Sequence, residues 1–276
     1  MTLPKAKTRN VAGRRHYVVI HDGVEFLCPS ASTLVSQLDK PAIAGWMVNT
    51  HLNKAHAMHR KAANIDADDF RAIIRSAVRR DGSPAAESGS RAHEVLEAYF
   101  TGQVPPDYDE TPWCMEHAEA IEDEMQLDPL WLAADGYPRS GVELTVVRIE
   151  DGVPIWAGTS DFIGSWVIDG ETFRGCVDWK SGESGLWPDS ILSTSVYSGA
   201  THWLDEDGTA IEFDEPLTAG ALVWIRPEGY AFVPISPEET AEAVEVCRSL
   251  AIVARWKLLN ERVADPVNAD PIVKVP

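Results

Sequence analysis

The sequence predicts a mixed α/β protein with a helical first half and a central mixed β-sheet in its second half. Three observations support this prediction. The chain has 276 residues, of which 45% are apolar, so it can bury a substantial core. Helix-start and turn residues divide the first half into helices. From about residue 137, Val, Ile, Phe, Trp and Thr gather in short runs that are typical of strands.

The first half opens with a predicted hairpin. In RHYVVIHDGVEFLCPS, apolar runs flank an Asp22-Gly23 turn. The five helices expected after it begin at Ser30 or Ser32, Pro41, Ala67, Ser88 or Ser90, and Pro112. The first is expected to run for about nine residues, the second to about His59 and the fourth to near Gly102. The turn residues at 81–84, DGSP, should end the third helix.

The second half predicts three consecutive strands, a helix, two further strands and a long terminal helix. The strands joined by Asp151-Gly152 and Asp169-Gly170 form two hairpins. The predicted elements are strands 142–149, 155–168 and 172–180, helix 187–204, strands 219–227 and 230–235, and a helix from Pro237 to Val263. We therefore expect a helical region at 1–136, a core at 137–263 and a flexible tail at 264–276, all within one structural domain.

Composition narrows the class of protein. No apolar run approaches the roughly 18 residues that span a bilayer, and no apolar segment follows the basic residues of MTLPKAKTRN. The cysteines Cys28, Cys114, Cys176 and Cys247 are scattered without a CxxC pair. A cytoplasmic protein with reduced thiols and no membrane partner is the expectation.

Charge is distributed unevenly along the chain. The net charge is −19, but residues 1–91 hold 14 Lys and Arg against 8 Asp and Glu. A local positive patch is what nucleic-acid binding requires, and a solvated helix face is the alternative. The candidate DNA-binding residues are Lys54, Arg60, Lys61, Arg71, Arg75 and Arg79, the last three spaced to form one helical stripe.

Two aspartates interrupt strands that otherwise belong to a core. With a two-residue turn at Asp169-Gly170, opposed residues have numbers that sum to 339, which pairs Asp161 with Asp178 at a Cβ separation of about 5 Å. Lys180 projects from the same face as Asp178. Opposed like charges destabilise a hairpin, so the pair suggests a bound cation, and oxygen ligands favour Mg²⁺ or Mn²⁺. A surface salt bridge between Lys180 and an aspartate is the alternative.

These residues also form an ordered series of motifs. GTSD (158–161), VDWKSG (177–182) and the upstream helix segment GSRAHEVLE (89–97), with PSAST (29–33) before it, resemble the PD-(D/E)XK nuclease superfamily. The closest likeness is to its RecB-like exonucleases, including CRISPR-associated and bacteriophage-encoded members. The resemblance spans residues 29 to 235 and implies a restriction-endonuclease-like αβββαβ core.

The resemblance implies a metal-dependent DNA exonuclease of phage recombination or DNA end-processing. Catalytic roles are carried over to Asp161, Asp178, Lys180 and Tyr197. The implied ligands of Mg²⁺ or Mn²⁺ are His93, Glu143, Asp161, Asp178 and the backbone carbonyl of Trp179. DNA, a single-strand annealing protein and further copies of the chain are the implied partners, in the host cytoplasm if the chain is phage-encoded.

Some positions fit the family pattern less well. A two-residue turn at Asp151-Gly152 would set Glu143 opposite Ser160, facing away from Asp161, whereas a three-residue turn or a bulge would restore Glu143 to the side of Asp161. Tyr197 matches the family's Gln-x-x-x-Tyr helix, but Ser193 replaces the glutamine. An iron–sulfur cluster is not expected, since Cys247 is alone in the C-terminal region.

Two other classes of function stay open on the sequence. The first is a weakly active or inactive DNA-binding scaffold on the same fold. The second is a transferase or binding module whose hairpin carboxylates are ordinary surface charges. Within the nuclease reading, a structure-specific endonuclease is the alternative to an exonuclease.

Overall fold

The computed structural model describes residues 6–260, apart from residues 12, 39–40, 63–64, 135–136 and 183–184. Side chains at 41–47, 61–62, 78–85, 133–134, 137–139 and 259–260 also lie outside the description. The described helices are α1 (Ala31–Val35), α2 (Pro41–Ala62), α3 (Ala67–Phe100), α4 (Thr111–Met125), α5 (Pro188–Ser198) and α6 (Pro237–Asn260).

Three sheets account for the described strands. They are β1 (Thr8–Val11), β2 (Arg14–His21), β3 (Val24–Pro29), β4 (Asp128–Pro129), β5 (Trp131–Ala134), β6 (Tyr137–Ser140), β7 (Val142–Glu150), β8 (Val153–Ile168), β9 (Glu171–Lys180), β10 (His202–Leu204), β11 (Ala210–Glu212), β12 (Ala219–Arg226) and β13 (Gly229–Ile235). The large sheet has the order β11-β10-β7-β8-β9-β12-β13, with β4 added to β8. Only β9 and β12 pair in parallel in it, so the predicted mixed α/β fold is confirmed.

Helices cover both faces of the large sheet. On one face, Leu96 and Phe100 of α3 and Ile121 of α4 pack against Phe162 and Trp179. On the other face, α5 and α6 pack through clusters of their own, and the indole N–H of Trp156 donates to the Val196 carbonyl. Aromatic rings stack in the first cluster, with Phe100 and Trp179 5.5 Å apart. Such large side chains supply much of the apolar area that a fold of this size buries.

The first predicted helix is shorter than expected, and the third and fourth are a single helix. Ser30 caps α1 by accepting from the Thr33 N–H, but α1 ends at Val35. The break expected at 81–84 was wrong, because α3 continues through Pro84. An interior proline costs a helix about 3 kcal/mol, and the long stretches of good helix formers on both sides offset that cost.

The predicted helix 187–204 also differs from the structure. It ends at Ser198, followed by Gly199 as its C-cap, and residues 202–204 form β10 against β7. Strand β10, like β4 to β6 and β11, is too short to carry a periodic pattern. The other predicted strands agree with the structure within one or two residues. The predicted tail 264–276 and the end of the last helix lie outside the described residues, and the division at 136 stays a prediction.

Candidate metal centre

Asp161 lies where strands β8 and β9 separate. The ladder between them is regular from Ile168↔Glu171 to Phe162↔Val177, so the predicted sum of 339 is confirmed. At the next position Asp161 Oδ2 accepts the N–H of Trp179 at 2.9 Å. This side-chain contact joins the two strands just beyond their last ladder pair and places the Asp161 carboxylate between them.

His93 reaches the same carboxylate from α3. Its Nδ1 lies 3.3 Å from Asp161 Oδ1, so the two oxygens of Asp161 have different partners. A Cβ at Gly89, one turn earlier on α3, would lie 3.2 Å from Ser181 Oγ. The glycine therefore lets the helix approach the end of β9, and this approach brings His93 to the strand.

Glu143 joins this pair because β8 contains one extra residue, Ile155, in its ladder with β7. The β7–β8 register shifts between Arg148 and Ile149, so that Leu144, rather than Glu143, lies opposite Ser160. The turn arithmetic for Glu143 was therefore wrong, and the bulge alternative is confirmed. The extra residue aligns Glu143 with Asp161, because the pairs on either side of them are Val142 with Phe162 and Leu144 with Ser160.

The faces of β7 also exchange at Glu143. Val142 packs in the cluster of Phe162 and Val177, whereas Leu144 packs in the cluster of Ile163. Residues two apart in a regular strand share a face, so the strand must turn over between them. Glu143 has φ 51°, a left-handed backbone rare for a residue with a side chain, and such strain is often found at functional sites.

His93, Glu143 and Asp161 each offer a ligand atom, and these atoms all lie within 4.8 Å of one another. The three side chains are partly buried. One imidazole nitrogen and two carboxylate oxygens can hold a divalent metal ion, so this donor set fits the predicted cofactor class. Of the five predicted ligands, the structure brings these three together.

Asp178 and Lys180 form the neighbouring part of the site. Asp178 is buried, and the Lys180 ammonium forms an ion pair with its Oδ2, which confirms that both project from one face. Burial, followed by the charge of Asp161, raises the pKa of Asp178 to about 6, against the opposing effect of Lys180. Asp178 lies outside the three-residue group. The N–H of Trp179 donates to Asp161, and the role of its carbonyl as a metal ligand stays a prediction.

The ionisation of Asp161 and His93 is mutually supported. Burial raises the pKa of Asp161, but the hydrogen bond and charge of His93, the charge of Lys180 and the Trp179 N–H together lower it. Burial lowers the pKa of His93, yet the contact with Asp161 and the charge of Asp178 raise it overall. The pKa of Asp161 is therefore lowered whereas that of Asp178 is raised, although the two carboxylates lie on neighbouring strands.

Tyr197 of α5 packs directly over β8. A Cβ at Gly158 would lie 2.5 Å from its Cε1, so the glycine makes room for the ring. Burial, followed by the charges of Asp178 and Asp161, raises the pKa of Tyr197 well above its ordinary value, and the phenol stays protonated. Ser193 donates to the Asp189 carbonyl at 3.0 Å within its own helix, so its hydroxyl is engaged there.

A chain of hydroxyl groups lies next to these residues, and the sequence did not indicate it. Thr159 Oγ1 lies 3.0 Å from Thr145 Oγ1 and 3.1 Å from the Tyr17 hydroxyl. Thr159 is two residues before Asp161, so the chain ties β2 to β7 and β8 beside the site. The only signal in the sequence is the threonine in a strand otherwise bound for the core.

The predicted DNA-binding residues lie on α2 and α3. Arg71 pairs with Asp68 at 2.6 Å, and Arg75 and Arg60 are exposed. Lys54 lies on α2, and the side chains of Lys61 and Arg79 fall outside the described residues. Residues 71, 75 and 79 all lie within α3, as the predicted stripe requires, but Asp68 offsets part of the charge of Arg71.

The four cysteines lie apart from one another. All are buried, free thiols. They belong to four different clusters: Cys28 with Tyr17, Cys114 with Val95, Cys176 with Ile163, and Cys247 with Leu34.

Comparisons with known proteins leave the family open. No protein-family model matches the chain, and no curated protein matches it. A solved structure titled "Crystal structure of SSO0001" aligns at 12% identity and a TM-score of 0.23. The alignment covers 55% of this chain and 66% of that one, and at this score it supports no inference about fold or function. None of the described helices combines the length and apolarity needed to cross a membrane.

Proposed function

We propose that the chain is a metal-dependent deoxyribonuclease of the RecB-like PD-(D/E)XK type, acting as an exonuclease in the cytoplasm. The observation that carries the proposal is the meeting of His93, Glu143 and Asp161 where β8 and β9 separate. The Asp178–Lys180 pair beside them supplies the remaining motif residues.

The donor set favours Mg²⁺ or Mn²⁺ over softer metals. Carboxylate oxygens dominate it, and the described thiols lie in other clusters. A bound ion of this kind polarises a phosphate and lowers the pKa of a coordinated water. His93, Glu143 and Asp161 would hold it, with Asp178 as a further ligand on the same side.

Lys180 is the residue proposed to act on the water and the phosphate. Its ammonium already pairs with Asp178 and is one-third exposed, so it can both orient a nucleophile and offset charge that develops on the phosphate. Tyr197 holds a protonated hydroxyl near the carboxylates and is proposed to support Lys180 by hydrogen bonding. The basic residues of α2 and α3 would follow the DNA backbone.

A direct test uses the full-length chain and labelled DNA with Mg²⁺, Mn²⁺ or EDTA. Asp161→Asn and Lys180→Ala should each lower cleavage by at least about 100-fold, because each removes a ligand or the group that acts on the water. Glu215→Gln removes an ion pair between the segment before β12 and Arg174 of β9; it is the matched control and should leave cleavage unchanged. Equal cleavage by wild type and both site variants would overturn the proposal.

The same assay distinguishes the second candidate, an inactive DNA-binding scaffold. The hydrogen bond of Ser193 to its own helix favours that candidate, since the family's polar support for the lysine is then missing. Binding without cleavage under every metal condition would identify the scaffold. Cleavage of circular as well as linear DNA would identify an endonuclease. A single-strand annealing protein and further copies of the chain are proposed partners, tested by co-purification.

A further inference from the structure

Beyond Lys180, the sheet continues into a half-buried tryptophan, Trp224, that none of the roles above uses. Strand β12 pairs in parallel with β9, and the register sets Leu222 beside Asp178 and Trp224 beside Lys180. Paired residues of parallel strands share a face, so Trp224 lies on the side of the sheet that carries the Asp178–Lys180 ion pair. Neighbouring strands are about 4.8 Å apart, which makes Trp224 the next side chain along the sheet.

The indole of Trp224 is fixed in orientation and has no free polar group. Its Nε1–H donates to the Gly182 carbonyl at 2.8 Å, two residues after Lys180. The indole has only this one donor, so the ring cannot read the polar edge of a base. The ring faces are what the side chain has left to offer to a ligand.

Arg226 adds a second flat group, which lies over the Trp224 ring. Its guanidinium carbon lies 5.5 Å from the centre of the Trp224 ring, and its side chain is 24% exposed. On the outer side, the residues that pair with Trp224 and Arg226 on β13 are Ala231 and Gly229. The directly paired positions of β13 therefore place no large side chain beside the two flat groups.

We propose that Trp224 and Arg226 form a stacking platform for an unpaired nucleobase next to the phosphate being cleaved. The inference rests on the proposed function and deepens it by naming the substrate class: single-stranded DNA, or the frayed end of a duplex. A paired base is enclosed between its neighbours and cannot reach a ring on the protein. Stacking on an aromatic ring and a guanidinium tolerates any base, so the platform confers no sequence preference.

The main experiment measures binding separately from cleavage. Full-length Asp178→Asn protein is titrated with Ca²⁺ and fluorescent oligonucleotides: single-stranded DNA, blunt duplex, and single strands with an abasic site at each position in turn. We expect single strands to bind more tightly than blunt duplex. One abasic position should weaken binding by about 5- to 100-fold, the range of one base–aromatic stack. Further substitutions are made in the same protein.

The substitutions at Trp224 separate stacking from structural support. Trp224→Leu should weaken single-strand binding as much as the abasic site does, and the two losses should not add. Trp224→Phe keeps a ring but loses the hydrogen bond to Gly182, so it should retain most of the affinity. Trp256→Leu, an equally large change at an exposed tryptophan on α6, is the control and should bind normally.

The outcomes keep the inference apart from the proposed function. If Trp224→Phe weakens single-strand binding as much as Trp224→Leu, Trp224 serves only to hold residues 181–182 and the platform is wrong. Equal affinity for blunt duplex and single strands, with no sensitive abasic position, would also overturn it. Wild-type cleavage in those cases would still support the nuclease. Conversely, a sensitive position in a protein that never cleaves DNA would retain the platform and remove the nuclease.

Discussion

The position and charge of the Asp161 carboxylate are fixed by its neighbours in the fold. Its two oxygens have separate partners, a backbone N–H on β9 and an imidazole on α3. The pairing of Asp161 with the region of Asp178 could be predicted from the sequence, because a two-residue turn fixes the hairpin register. The position of Glu143 could not, because an extra residue in a strand and a left-handed backbone leave no periodic trace.

We expect the backbone conformation of Glu143 to lower the stability of the fold and its side chain to contribute to metal binding. Glu143→Gly should raise the free energy of unfolding in EDTA by about 1 kcal/mol, since glycine adopts φ 51° without strain. It should also weaken Mn²⁺ binding by about 10- to 100-fold through the loss of a ligand. Thermal unfolding and calorimetric titration measure the two effects.

Asp169→Gly provides the control for the Glu143 substitution. Asp169 has φ 52° in the β8–β9 turn, so the change relieves a similar backbone at the far end of the hairpin. It should stabilise the chain and leave Mn²⁺ binding intact. Undiminished Mn²⁺ affinity in Glu143→Gly would show that Glu143 is not a ligand.

Helix α3 connects the basic stripe to the metal centre as one element. Its second half is fixed to α4, where Glu110 accepts from both Arg91 and Ser88. The sequence predicted two helices here, because turn residues at 81–84 are a strong local signal. The pairing of Glu110 with a helix 19 residues earlier is a long-range contact, which local patterns do not contain.

The contact between α3 and α4 should depend on pH. Hydrogen bonds from Arg91 lower the pKa of Glu110 from about 4.5 to about 2, against the effect of burial. Because the folded-state pKa is the lower one, the stabilisation is complete above about pH 4.5 and is lost as the pH falls toward 2. Glu110→Gln should therefore cost about 2 kcal/mol at neutral pH and flatten the acid limb of stability against pH.

Denaturant unfolding between pH 2 and pH 7 measures this dependence. Glu215→Gln, which removes the exposed pair with Arg174, is the control and should cost under about 1 kcal/mol. If the acid limbs of wild type and Glu110→Gln coincide, Glu110 does not govern the acid sensitivity of the fold.

The whole molecule separates its charges along the chain. Residues 1–91 carry a net +6 from 14 basic and 8 acidic residues, within a total of −19. The order and type of the larger helices and strands could be predicted from the sequence. The separation of charge along the chain could also be read from it. Strands β4, β10 and β11 could not be predicted, because two or three residues form a strand only when a longer neighbour pairs with them.

DNA affinity should fall steeply with salt, and the two arginines of α3 should contribute unequally. Arg75→Ala should weaken binding and reduce the slope of log affinity against log salt by about 1, the value for one phosphate contact. Among the described residues Arg75 has no ion-pair partner, whereas Asp68 offsets Arg71. Arg71→Ala should therefore change the slope less. Identical slopes for wild type and Arg75→Ala, measured by anisotropy across salt, would remove α3 from the DNA interface.

The shift between Arg148 and Ile149 makes hairpin length a determinant of the site. The extra residue, Ile155 of β8, lies far along the hairpin from the candidate metal centre, yet it decides which residue of β7 lies opposite Asp161. Deleting Ile155 would leave every proposed ligand in the chain and would set Glu143 opposite Ser160 instead of Asp161. An insertion or deletion at this turn could thus inactivate the protein while each residue of its motifs stays unchanged.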